Sequence, residues 1–70
     1  MNRFTIELER EQDGRWIAEI IELPGVVTYG ETKEEATAKV EALALRVLAD
    51  RLESEEMEEP ALTSVAFSFA

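Results

Sequence analysis

The sequence predicts an α+β fold in the order β-β-β-α-β, and three observations support this prediction. Apolar and polar residues alternate near both ends of the chain, which is the period of a half-buried strand. Between these ends, apolar residues recur at helical spacing behind a capping sequence. Two turn sequences, Asp13-Gly14 and Leu23-Pro24-Gly25, divide the part before the helix into three strands.

The first predicted strand covers residues 4–9, where Phe4, Ile6 and Leu8 lie on one face. Asp13-Gly14 then reverses the chain, because glycine adopts positive φ without strain and aspartate tolerates it. The second strand, residues 15–21, is therefore predicted to be antiparallel to the first.

The sequence Leu23-Pro24-Gly25 predicts the next reversal. Pro24 presets φ at the first central position of a turn, and Gly25 accepts the positive φ required at the second. Residues 26–29 return as a third strand, which completes an antiparallel meander.

The helix is predicted to begin at Thr32, with Glu35 completing a capping box in which each side chain accepts the other residue's backbone N–H. It is predicted to end within the acidic run 53–59, before Pro60. The residues expected to lie on the sheet recur at helical spacing and are Ala36, Val40, Leu43 and Val47.

The last predicted strand covers residues 62–69. A strand reached through a helical crossover is normally parallel to its neighbour, so we expect it beside the first strand, in the spatial order 3-2-1-4. This arrangement is similar to part of the ribonuclease H fold. No linker or repeat divides the chain, so residues 1–70 are expected to form a single domain.

Composition excludes several classes of function. The 70 residues include neither cysteine nor histidine, which removes thiolate metal sites, cysteine nucleophiles and imidazole catalysis. No phosphate-binding loop or metal-ligand motif occurs, so no catalytic residue, cofactor or metal is expected and the chain is predicted not to be an enzyme.

Charge and hydropathy indicate the kind of partner. Sixteen acidic and seven basic side chains give a net charge of −9, which disfavours direct binding to nucleic acid and fits a basic protein partner. The sequence has no basic leader followed by an apolar run and no long apolar segment, so we predict a cytoplasmic protein that does not bind membranes.

Trp16 is the one large aromatic residue near a predicted turn. It shares a strand face with Ala18 and Ile20, so packing beneath the helix is its main expected role, and anchoring a partner is the alternative. Ile17 and Ile21 fall on the other face, where they either cap the sheet or meet another chain.

A helical wheel predicts a second apolar sector on the helix, which one sheet does not require. It consists of Leu45, Leu48 and Leu52 with Ala38 and Ala49. A chain this short has a marginal core of its own, so self-association is expected. We predict a homodimer or higher oligomer, and the alternative is that the tail folds over the sector within one chain. The predicted interface residues are Leu45, Leu48, Leu52, Phe67 and Phe69.

The strand glutamates leave another alternative open. Carboxylates that converge on a sheet hold divalent metal in nucleases of the ribonuclease H fold. A solvated outer face is the preferred interpretation, because the inward residues are the apolar ones. The glutamates in question are Glu7, Glu9, Glu19 and Glu22.

Taken together, the motifs resemble those of the HicB-like antitoxin family over nearly the whole chain. This family pairs Asp-Gly-x-aromatic-x-Ala with Leu-Pro-Gly, Gly-x-Thr and Glu-Glu-Ala at similar separations. The matching residues here are Asp13-Gly14-Arg15-Trp16-Ile17-Ala18, Leu23-Pro24-Gly25, Gly30 with Thr32, and Glu34-Glu35-Ala36.

The resemblance implies a function. HicB-like antitoxins bind and mask HicA toxins, which are small basic ribonucleases, so a basic HicA-like toxin is the expected partner. The acidic sheet and hairpin place Asp13, Trp16, Glu19 and Glu22 near the expected partner surface.

Many family members also carry a DNA-binding segment after this domain, and the sequence contains none, so direct DNA binding by this chain alone is not expected. This difference leaves a second interpretation open. It is a solitary homo-oligomeric protein of the same fold that binds a small molecule or an unrelated protein.

Overall fold

The computed structural model describes residues 2–54 and 64–70. Strands β1 (Asn2–Arg10), β2 (Trp16–Ile20) and β3 (Val27–Gly30) precede helix α1 (Lys33–Glu53), and β4 (Val65–Phe69) follows it. They form one sheet in the order β3-β2-β1-β4. The meander pairs are antiparallel and β4 is parallel to β1. The predicted α+β class and strand order are therefore confirmed, while the relation to the ribonuclease H fold stays a prediction.

Both predicted turns are present. Gly14 and Gly25 have φ of 94° and 90°, which only glycine adopts without strain. The Val26 N–H donates to the Leu23 carbonyl at 3.0 Å, which closes the turn around Pro24. Residues 15 and 21 flank β2 rather than belong to it, and β3 begins one residue later than predicted and ends at Gly30.

The core lies between α1 and one face of the sheet. All ten of its buried residues are apolar, and no polar or charged side chain among the described residues is buried. The helix packs mainly against β2 and β3 and much less against β1. The core residues are Phe4, Ile6, Ala18, Ile20, Leu23, Val26, Ala36, Val40, Ala44 and Leu48.

The predicted capping box is only half correct. Thr32 is the N-cap, and its hydroxyl accepts the Glu35 N–H at 3.0 Å. The Glu35 carboxylate, however, accepts the N–H of Glu31 at 3.3 Å rather than that of Thr32, and it also pairs with Lys39 at 3.1 Å. Thr32 and Glu35 therefore cap the helix as predicted, but the Glu35 carboxylate accepts from the residue one position before the N-cap.

The helix is rotated relative to the prediction. Ala36 and Val40 are buried as expected, but Ala44 and Leu48 complete the buried row, whereas Leu43 and Val47 are only partly buried. The predicted exposure of Leu48 is wrong, since its exposed fraction is 2%. Residues 55–59 of the acidic run, Pro60 and Leu62 lie outside the described residues.

Candidate protein-binding face

The sheet has one face that α1 does not cover. Side chains alternate across a strand, so the even-numbered residues of β1 and β2 face the helix and the odd-numbered ones face away from it. No described element packs over this second face, which we call the open face. Its residues on β1, β2 and β3 include Glu7, Glu9, Ile17, Glu19, Val27 and Tyr29.

An apolar strip runs along the open face. Ile17 lies opposite Tyr29 in the β2–β3 register, and Val27 lies opposite Glu19. Ile21 follows on the same face just beyond β2, where its N–H donates to the Thr5 carbonyl at 3.0 Å. Ile21 and Tyr29 are 50% and 43% exposed, so the apolar strip (Ile17, Ile21, Val27 and Tyr29) reaches solvent.

Two carboxylates lie side by side next to this strip. Glu7 on β1 is directly opposite Glu19 on β2. Like charges at opposed positions destabilise a sheet, because the two side chains are neighbours on one face. Neither carboxylate has an ion-pair partner within residues 2–54 and 64–70. The pair is therefore an uncompensated negative feature of the open face.

The hairpin end of the open face contains one basic group that is already engaged. The Arg15 guanidinium lies 4.8 Å from the centre of the Tyr29 ring, and its Nε donates to Asp13 at 2.8 Å. Asp13 also accepts the backbone N–H of Arg15 at 3.0 Å. These bonds hold the pKa of Asp13 below its ordinary value, the backbone bond contributing most. Asp13 thus stabilises the turn and orients Arg15 over the tyrosine.

Glu22 also has a structural role. Its carboxylate accepts both the backbone N–H and the hydroxyl of Thr5, each at 2.7 Å. The Thr5 N–H points toward β2 at the place where the chain leaves the sheet after Ile21, so the Glu22 side chain supplies the acceptor that the strand no longer offers. The bond from the Thr5 N–H is the main cause that lowers the pKa of Glu22, followed by the bond from its hydroxyl.

The Glu22 contact predicts a pH effect on stability. Because the pKa of Glu22 is lower in the folded state than its ordinary value of 4.5, its contribution is present above about pH 4.5 and is lost as the pH falls through the folded-state pKa. Glu22→Gln is expected to lower the free energy of unfolding at pH 7 and to flatten its decrease in acid. Urea denaturation followed by circular dichroism from pH 7 to acid measures this dependence.

Glu9→Gln is the matched control for that measurement, because the Glu9 carboxylate accepts no hydrogen bond from the described residues. It removes the same charge without removing an acceptor for Thr5. A Glu22→Gln variant whose acid dependence matches the wild type would show that the contact contributes nothing.

Trp16 lies on the helix side of the sheet. It is half-buried and packs against the core, with Lys33 Nζ and Arg10 Cζ 5.5 and 5.8 Å from its ring. Trp16 therefore lies on the face predicted for it, against the core on the helix side, although its ring is only partly buried.

The four predicted partner residues do not form one surface. Asp13 lies in the hairpin turn, Glu22 in the loop after β2 and Trp16 on the opposite face. Only Glu19 is central to the open face. Val27 and Tyr29 were not identified from the sequence, although the alternation that placed Ile17 on this face continues across the pairing to β3.

The described residues contain no group of three acidic side chains close enough to hold a metal ion. Glu7 and Glu19 are paired across the strands, while Glu22 is turned toward Thr5. The four strand glutamates therefore do not converge as a nuclease site would require.

A second concave surface lies on the helix side, between α1 and the β1–β4 edge. This groove has a volume of about 640 Å³. Ile6, Leu8 and Phe69 line it from the sheet, and Glu34, Ala38 and Glu41 line it from the helix.

The residues predicted to form an oligomer interface differ in exposure. Leu45 is exposed and Phe69 is 63% exposed, whereas Leu52 is half-buried. Phe67 is also half-buried and lies against Phe4, with 5.9 Å between the ring centres. Together with the buried Leu48, these positions show that only part of the predicted set is available to a partner.

Comparisons with protein-family models, with characterised proteins and with solved structures found no match to this chain. The resemblance to HicB-like antitoxins therefore stays a prediction. Within residues 2–54 and 64–70, no helix combines the length and hydrophobicity needed to cross a membrane. The cytoplasmic location is likewise still a prediction.

Proposed function

We propose that this chain is an antitoxin-type binding module that masks a basic HicA-like ribonuclease through its open face. The observation that carries this proposal is the opposed pair Glu7 and Glu19 beside an exposed apolar strip. Masking requires only that the bound module blocks access of RNA to the toxin. It requires no catalytic group on the module.

Charge supports a basic partner. The chain carries a net charge of −9, and attraction between opposite charges raises the rate at which two proteins meet. A Lys or Arg from the partner placed between Glu7 and Glu19 would also remove the repulsion between them. The pair thus gains more from a cation than an isolated surface glutamate does.

The apolar strip supports a protein partner. Protein interfaces have a core rich in aromatic and apolar residues, surrounded by a polar rim. Tyr29 and the two isoleucines of the strip provide such a core, and the glutamates of β1 and β2 provide the rim. Tyr29 is held in place by Arg15, so little side-chain freedom is lost when a partner covers it.

The proposal is tested with a purified cognate HicA-like ribonuclease. Calorimetry is expected to detect binding, and added module is expected to inhibit RNA cleavage. The double variant Glu7→Lys/Glu19→Lys is expected to reduce the association rate at low salt by roughly tenfold or more. Tyr29→Ala is expected to increase the dissociation rate instead.

Asp50→Lys/Glu53→Lys is the matched control, because it changes the net charge equally on exposed positions of α1. Equal losses from both double variants would show that total charge matters and the open face does not. If the wild-type module failed to bind the ribonuclease and RNA cleavage continued undiminished, the antitoxin function would be wrong.

A second candidate function is small-molecule binding by a solitary oligomer of this fold. The groove of about 640 Å³ between α1 and the β1–β4 edge is the observation that favours it. Ligand sites normally combine an apolar lining with a few converging polar groups. The groove contains no buried polar side chain among the described residues, which is why this function ranks second.

A further inference from the structure

We propose that β4 is the contact between two copies of this chain, which pair antiparallel through β4 and continue the sheet from one copy into the other. The proposal goes beyond the proposed function and does not depend on it, because β4 lies away from the apolar strip. It rests on the backbone, the charge and the side chains of β4.

One side of the β4 backbone pairs with no other strand among the described residues. β4 lies at the edge of the sheet, next to β1 alone. The Ala70 N–H donates to the Ile6 carbonyl at 2.9 Å, so the even-numbered residues of this segment turn their backbone groups toward β1. The N–H and C=O groups of Val65, Phe67 and Phe69 consequently point outward, away from the sheet.

Charge favours a second copy at this edge. The chain is 33% charged with a net charge of −9, so two copies repel each other over most of their surfaces. Residues 60–70 contain no charged side chain, and β4 lies within them. Natural edge strands are usually protected by charges, proline or a covering element. Strand β4 itself has neither a charged residue nor a proline.

The side chains of β4 match a two-fold contact. Val65, Phe67 and Phe69 share the face that packs toward the core, and Phe69 is 63% exposed there. If Phe67 pairs with its own counterpart, each Phe69 lies opposite the partner's Val65, and all three outward-facing residues fall at hydrogen-bonded positions. This register is self-complementary, as a two-fold contact requires.

The other edge of the sheet is less suited to pairing. Strand β3 has four residues, and the bond from its Thr28 hydroxyl to the Ala36 carbonyl, at 3.0 Å, ties it to the start of α1. Of the residues predicted to form an oligomer interface, the proposed contact uses Phe67 and Phe69 on β4 and does not use Leu45 on α1. It places both helices on one side of an eight-stranded sheet and both open faces on the other.

The proposal is tested by comparing the dimer dissociation constants of two variants, Phe69→Pro and Phe69→Ala. Both variants remove the phenyl ring, but only proline also removes the Phe69 N–H, which points away from β1, the one strand that pairs with β4 in the described part of the chain. Sedimentation equilibrium is expected to show a wild-type dimer. The proline variant is expected to have a dimer dissociation constant roughly tenfold or more above that of the alanine variant, because two symmetry-related hydrogen bonds are lost. Thermal unfolding of the dissociated variants checks that both remain folded.

Amide hydrogen exchange of the wild type provides a second measurement that needs no variant. In the dimer, the outward N–H groups of Val65, Phe67 and Phe69 are expected to exchange slowly, and dilution is expected to release them. A monomeric wild type, free exchange of these amides in a dimer, or equal dissociation of the two variants would overturn the proposal. If the protein is a monomer whose β4 amides exchange freely, the edge of β4 does not pair with a second copy and would be available only to a strand of another protein.

Discussion

Replacing Gly30 by alanine is expected to lower the free energy of unfolding by roughly 2–3 kcal/mol. A Cβ at this position would lie 2.5 Å from the backbone nitrogen of Ala36 and 3.0 Å from its Cα. Those atoms belong to the first turn of α1 and cannot rotate away as a side chain does. The variant therefore folds only if the helix moves away from β3. Urea denaturation gives the free energy directly.

The sign of the change in unfolding free energy for Gly30→Ala shows whether the steric contact or backbone entropy dominates at this position. Where there is room for a Cβ, replacing glycine by alanine stabilises a protein by about 0.4–1 kcal/mol, because the unfolded chain loses freedom. Glu31→Ala, at the next and exposed position, is expected to change stability by no more than about 0.5 kcal/mol. A Gly30→Ala midpoint equal to or above that of the wild type would contradict the close approach of helix and strand.

The contact at Gly30 also positions the candidate site. It fixes the end of β3, which carries Val27 and Tyr29 on the open face. The bond from the Thr28 hydroxyl to the Ala36 carbonyl ties the same strand to the helix. Loosening this junction is therefore expected to disturb the apolar strip as well as the core.

The features that could be predicted from the sequence are local or follow from chain connectivity. Gly14 and Gly25 mark turns because positive φ is a property of single residues. The parallel placement of β4 follows from the crossover through α1, which carries the chain back to the end of the sheet where β1 begins. Neither inference needs knowledge of how side chains pack.

The features that were missed depend on contacts between distant parts of the chain. A helical wheel groups Leu48 with Leu45 and Leu52, but the rotation of α1 about its own axis on the sheet decides that Leu48 is buried and Leu45 is exposed. The bond between Glu22 and Thr5 joins residues seventeen positions apart, so Glu22 looked like a free surface carboxylate. The pairing of distant strands also changes the candidate site. The sequence predicted it near the hairpin, whereas the structure places it around Tyr29 and Glu7 on the open face.

Ile20→Ala is expected to destabilise the protein by about 2–5 kcal/mol, while Ile21→Ala is expected to change stability by no more than about 0.5 kcal/mol. Ile20 is fully buried between the sheet and α1, and its removal leaves a cavity among tightly packed residues. Ile21 is 50% exposed on the open face and keeps its backbone bond to Thr5 when the side chain is shortened. Urea denaturation of the two variants measures the difference.

A domain is stable by only about 5–15 kcal/mol, so Ile20→Ala can unfold this small protein entirely. Ile20→Val, expected to cost about 0.5–1.5 kcal/mol, keeps the comparison measurable. Similar losses at both positions would show that a second layer covers the open face and would remove the binding surface proposed for it. If Ile21→Ala instead leaves stability unchanged but weakens binding to the HicA-like ribonuclease, that side chain contributes to recognition rather than to folding. Ile20 then stabilises the fold and Ile21 contributes to binding, because successive side chains along an extended chain point to opposite faces of the sheet.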